Sequence, residues 1–173
     1  MSYKIELQVN GETYCREIKG NTRLIDLLRE ELGLMGTKEG CSEGVCGACT
    51  VIMDGLAVNA CMVMAFQAQN SKIITVEGLA KYQQDRENLN NDPAAIDNLD
   101  PIQEAFIAKG AVQCGFCTPG MIMSTKALLD YNPDPSPEDA RKAISGNLCR
   151  CTGYEKIVEA VFYAAQLLQR GEG

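Results

Sequence analysis

Eight of the nine cysteines in this 173-residue chain fall into two sets of four, one in each half, and no other feature limits the fold as tightly. The first set is Cys41-x4-Cys46-x2-Cys49, with Cys61 twelve positions further on. The second is Cys114-x2-Cys117 with Cys149-x-Cys151. The N-terminal residues carry no apolar run of the signal-peptide kind, and no apolar stretch reaches the roughly 20 residues of a spanning helix, so a cytoplasmic setting without a transmembrane segment is expected. In a reducing compartment nine cysteines are poor disulfide partners and good metal ligands. Histidine is absent, which excludes His-bearing metal centres and a His general base; any chemistry falls to thiolate sulfur. Lys and Arg number 16 against 23 Asp and Glu, a net charge of -7 with no basic stripe, which argues against nucleic acid as a partner.

Between the cysteines the chain changes character. Residues 3–9 alternate, with Tyr3, Ile5, Leu7 and Val9 on one face, which is the period of a half-buried strand. Asn10-Gly11 makes a tight turn and residues 12–18 return as a second strand. Asn21 or Thr22 then caps a helix carrying Leu24, Leu27, Leu28 and Leu32 on one side, with Gly33 ending it. A hairpin followed by a helix across its face is how β-grasp domains begin. A second hairpin is predicted around Asp54-Gly55 and a last strand over residues 72–76. Residues 82–100 are polar and turn-rich, reading as a linker or surface excursion. Beyond it the pattern is helical. Helices open at Asp100-Pro101, Thr118-Pro119 and Ser136-Pro137, and a last one follows Thr152 or Gly153.

The spacing of the first set, with a distant fourth cysteine, is the one by which plant-type ferredoxins hold a [2Fe–2S] cluster. Three thiolates from nine residues must point at one core, so Gly40, Gly44 and Gly47 allow close approach and turn backbone N–H groups towards sulfur. A structural zinc site is the alternative, but the next Cys-x2-Cys lies 65 positions beyond Cys49, and zinc would leave Cys41 and Cys61 unused. For the second set, Cys-x2-Cys ahead of a helix fits zinc, a redox dithiol or a cluster, and pairing it with Cys149 and Cys151 follows from the count of thiols in that half.

Three longer stretches carry a resemblance. They are Glu39-Gly40-Cys41-Ser42-Glu43-Gly44-Val45-Cys46-Gly47-Ala48-Cys49-Thr50-Val51, Gln113-Cys114-Gly115-Phe116-Cys117-Thr118-Pro119-Gly120, and Gly146-Asn147-Leu148-Cys149-Arg150-Cys151-Thr152-Gly153-Tyr154. In that order they resemble the iron–sulfur subunit or domain of the xanthine oxidase family of molybdenum hydroxylases, over about residues 2–168. The resemblance implies an α+β chain: a β-grasp plant-ferredoxin-like domain over residues 1–78, an excursion over 79–100, and a four-helix [2Fe–2S]-binding domain over 101–173. It further implies two [2Fe–2S] clusters, one on Cys41, Cys46, Cys49 and Cys61 and one on Cys114, Cys117, Cys149 and Cys151. A large partner subunit would hold the molybdopterin-type molybdenum cofactor and the substrate, with Gln113 and Cys151 beside the pterin, and a further subunit would usually hold FAD. The chain would then relay electrons and carry no substrate site. The excursion is longer than is usual for the family.

Plainer readings stand beside these. A free-standing ferredoxin would leave the helical half unexplained, and a zinc-stabilised interaction module would need no redox role. Phe116 and Tyr154 read as packing around a cluster, and Met62, Met64, Met121 and Met123 as core fillers. Arg150, between two ligands, is either a surface cation or a hydrogen-bonding partner of cluster charge. Cys15, the ninth thiol, is predicted to sit buried or half-buried in the second strand without a function.

Overall fold

The computed structural model describes residues 2–79 and 99–170. Its first half is a five-stranded mixed sheet: β1 (Ser2–Val9), β2 (Glu12–Lys19), β3 (Thr50–Met53), β4 (Leu56–Asn59) and β5 (Lys72–Ile74), in the order β2-β1-β5-β3-β4. β1 runs parallel to β5, and the other neighbours are antiparallel. One helix crosses this sheet: α1 (Leu24–Asp26), which continues without a break as a wider π-helical turn, Leu27–Glu31. This is the expected β-grasp arrangement. The second half holds four helices, α2 (Pro101–Ala108), α3 (Thr118–Tyr131), α4 (Pro137–Ile144) and α5 (Glu155–Arg170).

Alternation along β1 buries Ile5, Leu7 and Val9 beneath α1, while Tyr3, at the open end, remains exposed. Leu24, Leu27, Leu28 and Val51 complete that core. The opposite face of the sheet is covered as well. Val51 and Ile52 are adjacent in β3 and so point to opposite sides; Ile52 belongs to the core built from Ile102, Phe106, Met121, Met123 and Ile157 of the helices. α3 lies against β3, so the two halves are pressed together.

Several expectations change in detail. The α1 cap is Arg23, not Asn21 or Thr22: the Thr22 carbonyl accepts from Ala65 N–H, and the Asp26 carboxylate takes the Arg23 N–H at 3.1 Å. β5 stops at Ile74 because the Asn10 side chain accepts the Thr75 N–H at 2.9 Å and donates to the Thr75 hydroxyl at 3.0 Å, which ends the ladder. Met121 and Met123 fill the core, but Met62 and Met64 lie on the surface, outside any amphipathic helix that would turn them inward. Cys15 is exposed, its thiol 3.4 Å from the Glu6 carboxylate across the hairpin. The predicted 79–100 excursion falls, apart from Leu79 and residues 99–100, outside the described residues.

Candidate metal centres

The first four thiols gather where a long loop meets the β3–β4 hairpin. Cys49 ends the loop immediately before β3, and Cys61 lies in the single helical turn after β4. Because Thr50 pairs with Asn59 across the hairpin, these two cysteines are brought side by side, and Ala60 N–H donates to the Cys49 carbonyl at 3.2 Å. Both are buried. Burial, with Cys61 alongside, pushes the Cys49 thiol up to about 12. Cys41 and Cys46 form the open side of the site, in contact with each other. The N–H groups of Glu43, Val45 and Cys46 all donate to Cys41 Sγ at 3.4 Å, and they draw that thiol down to about 6.

The loop is held from behind. Arg23 reaches Asp26 at 2.6 Å and Glu39 at 2.7 Å, and Glu39 accepts from the Ser42 hydroxyl at 2.7 Å. Arg29 donates to the Thr37 carbonyl at 2.8 Å. Ser42 itself takes a left-handed conformation, φ +59°, one residue after a candidate ligand. These contacts tie the segment leading to Cys41 to α1 and the turn that continues it.

The second four thiols come from two helix junctions. Cys117 caps α3, and Cys114 lies one short turn before it. Cys149 and Cys151 occupy the turn between α4 and α5. The sulfurs of Cys114 and Cys151 are 3.6 Å apart and exposed, whereas Cys117 and Cys149 meet in the half-buried part of the site. Burial pushes Cys117 up to about 12, reinforced by Cys149. At Cys149 burial acts upward too, but the hydroxyl and N–H of Thr152, at 3.0 and 3.4 Å from Sγ, together with the Cys151 N–H and the Cys117 thiol, outweigh it and hold this thiol below its ordinary value. The Cys114 contact raises Cys151. Gln113 is exposed next to Cys114, and Arg150 is exposed between Cys149 and Cys151.

Tyr154 holds this turn through a partner that a packing role alone would not require. Its hydroxyl accepts the Cys149 N–H at 2.8 Å and donates to the Asn147 carbonyl at 3.3 Å. Tyr154→Phe would strand that N–H in a half-buried site. A loss of about 1–3 kcal/mol is expected, measurable as a lower denaturant midpoint. An unchanged midpoint would show that water replaces the hydroxyl.

The two sites are joined by one close junction that nothing in the sequence had suggested. Leu148 N–H donates to the Cys46 carbonyl at 2.9 Å. The buried Asn147 amide donates to the Gly47 carbonyl at 2.8 Å and to Thr50 Oγ1 at 3.3 Å, and accepts from the Ser124 hydroxyl at 2.7 Å. The approach needs glycine. A Cβ on Gly47, where φ is +67°, would fall 2.4 Å from the Gly146 carbonyl oxygen, and one on Gly120 would fall 2.2 Å from the Gly47 carbonyl oxygen. Phe116, between two thiols of the second set, lies beside Gly40 of the first.

The eight thiols expected from sequence are thus collected four and four, and within each four they stand as two pairs: Cys41 with Cys46, Cys49 with Cys61, Cys114 with Cys151, Cys117 with Cys149. Among the described residues no three Cys, Asp or Glu side chains are arranged around a single metal ion. A [2Fe–2S] core is bound by four thiolates, two to each iron, and paired thiols fit that demand. Burial and the neighbouring thiols push both Cys49 and Cys117 upward, so a bound cation would favour their thiolates.

Comparisons with known proteins bear on the same two regions. A 2Fe-2S iron-sulfur cluster binding domain model matches residues 10–95, and a [2Fe-2S] binding domain model matches residues 75–162. The nicotinate dehydrogenase small FeS subunit of Eubacterium barkeri is 52% identical over 162 residues, covering 94% of this chain and 94% of that protein. The nicotine 6-hydroxylase small subunit of Paenarthrobacter nicotinovorans is 46% identical, covering 93% and 88%. Among solved structures, a chain of quinoline 2-oxidoreductase from Pseudomonas putida 86 superposes with a TM-score of 0.84 at 39% identity, covering 99% of both chains.

Proposed function

The chain belongs to the small iron–sulfur subunits of the xanthine oxidase family of molybdenum hydroxylases, and from that premise we propose how its residues divide the work of electron transfer. It is an electron-transfer subunit of an oxidoreductase complex. Our reading assigns one [2Fe–2S] cluster to Cys41, Cys46, Cys49 and Cys61 and a second to Cys114, Cys117, Cys149 and Cys151. Each cluster would supply reversible one-electron transfer. The observation that carries this assignment is the collection of eight thiols into two groups of paired sulfurs.

The protein's own residues would do three things. The N–H groups of Glu43, Val45 and Cys46 at Cys41, and those around Cys149, offset negative charge on sulfur and so favour the reduced state. The buried pair Cys49 and Cys61 keeps water from half of the first site, and the half-buried pair Cys117 and Cys149 restricts it at the second. The exposed pair Cys114 and Cys151, with Gln113 beside it, is framed by the exposed apolar residues Val112, Phe116 and Leu148. We assign this face to the large subunit, where Gln113 and Cys151 would stand next to the pterin of a molybdenum cofactor. The Cys41 side would deliver electrons onward to an FAD subunit or an external carrier. We place the complex in the cytoplasm, where nine unpaired thiols remain reduced. The domain division we propose is residues 1–78 and 101–173 with the 79–100 excursion between them; two cores support it, with Ile52 of β3 contributing to the helical one. A free-standing carrier would have no use for the second core.

Anaerobic isolation of the native complex tests the reading. About four iron and four sulfide per chain, with molybdenum co-purifying and two distinct signals in the reduced EPR spectrum, are expected. Half that iron without molybdenum would leave a ferredoxin with a helical appendage, and zinc in place of iron would overturn both ligand sets. Turnover assays would begin with nicotinate and quinoline, the compounds for which two relatives are named.

A further inference from the structure

We infer that Asn147, which lies in the segment of the second thiol set, is a positioning residue for the first. The inference rests on the two-cluster reading above. Asn147 is 3% exposed, and each polar atom of its side chain has a partner. Its amide N–H groups are taken up not by the neighbouring Cys149 but by the turn that follows Cys46 and contains Cys49. They end on the Gly47 carbonyl at 2.8 Å and on Thr50 Oγ1 at 3.3 Å.

The Gly47 carbonyl is an unusually crowded acceptor. Besides Asn147 it receives Thr50 N–H at 3.1 Å and the Thr50 hydroxyl at 2.7 Å. Three donors converging on one oxygen close the four-residue turn from Gly47 to Thr50, and Cys49 lies inside that turn. Two of the three hydrogen bonds would survive in the first half alone; the third comes from 100 positions away. A buried amide whose positive end faces the first site raises the local potential, because low dielectric leaves that dipole poorly screened. Reduction adds negative charge to a cluster there, so losing the dipole disfavours the reduced state. The Leu148 N–H on the Cys46 carbonyl holds the same segment from its next residue, so the grip on the first loop is two-point.

The consequence is asymmetric: a change at position 147 is felt at the centre whose ligands lie farther away in the sequence. The test uses the assembled complex with Asn147→Ala, Thr50→Val and Ser124→Ala, read by iron content, midpoint potential of each centre and reduced EPR signal. Asn147→Ala is expected to lower the midpoint of the centre on Cys41, Cys46, Cys49 and Cys61 and to alter its EPR signal, with a smaller change at the other centre. Thr50→Val removes the hydroxyl donor from Gly47 and the acceptor from Asn147, and is expected to shift the same midpoint in the same direction. Ser124→Ala loses a buried hydrogen bond of the same network without touching Gly47, and should leave that midpoint in place.

An unchanged first-centre midpoint in a fully loaded Asn147→Ala complex overturns the inference. So does an equal shift in Ser124→Ala, which would mean general loosening of the core. If Asn147→Ala does not load with iron, Thr50→Val decides in its place: a lowered midpoint supports the role and an unchanged one removes it. Iron in the unaltered complex at half the expected content would instead sink the two-cluster reading before any variant is compared.

Discussion

Replacing Cys151 with serine is expected to cut electron entry from substrate by more than the roughly 10–100-fold that loss of an outer-shell metal partner costs, while the first centre remains filled. Cys151 is exposed and sits 3.6 Å from Cys114, at the mouth of the second site. Serine fills less space and adds no buried polar group at an exposed position, so folding should survive. What changes is the donor: an alkoxide is harder to form than a thiolate and is a harder ligand for iron. The first site draws on a different loop and hairpin, and none of its contacts passes through residue 151. Anaerobic mixing with substrate, followed by absorbance bleaching and EPR, separates the two. A variant that is reduced by substrate at the normal rate would remove Cys151 from the entry route. A variant that loses both signals would show that the two sites assemble only together.

Gly120→Ala should destabilise the protein although it improves a helix. Alanine is favoured over glycine in a helix interior by about 1 kcal/mol, and Gly120 lies in the first turn of α3. Its missing Cβ, however, is the space occupied by the Gly47 carbonyl oxygen, 2.2 Å from where the carbon would be, and the Asn147 amide stands at 3.0 Å. Backbone must move, which pushes α3 off the first thiol loop. Overpacking typically costs about 1–3 kcal/mol and more where backbone is displaced, so a net loss of about 2 kcal/mol is expected. Gly47→Ala combines a left-handed φ with a clash of its own, 2.4 Å from the Gly146 carbonyl oxygen, and should lose more. Equilibrium denaturation of the full chain measures both. A more stable Gly120→Ala protein would mean that the two halves touch loosely at this point.

How much of this the sequence revealed follows from the range of the interactions involved. The Asp100 and Ser136 caps were legible because each cap closes within three residues: the Asp100 carboxylate accepts from Ile102 N–H, and Ser136 exchanges hydrogen bonds with Asp139. The eight thiols were legible because ligand chemistry dictates residue type as well as spacing. Arg23 was not, because its role depends on Glu39 in another segment and on Ala65 taking the preceding carbonyl. Asn147 was noticed only as part of a motif, since its partners Gly47 and Thr50 lie about a hundred positions upstream. Met62 and Met64 misled because their hydrophobicity says nothing of direction outside a regular helix or strand. Met62 instead lies against Gly44, roofing the first loop from the surface.

β3 has a consequence for how the chain comes apart. With Val51 facing one core and Ile52 the other, four residues form a wall common to both. Melting the helices would uncover Ile52, and melting the grasp sheet would remove the surface on which α3 rests. Neither half can therefore shed its structure at a cost independent of the other, although each has its own core and its own thiols. The chain holds its two sets of thiols in a single cooperative body, and the backbone amides of β3, covered from both sides, are expected to be among the last that solvent deuterons reach.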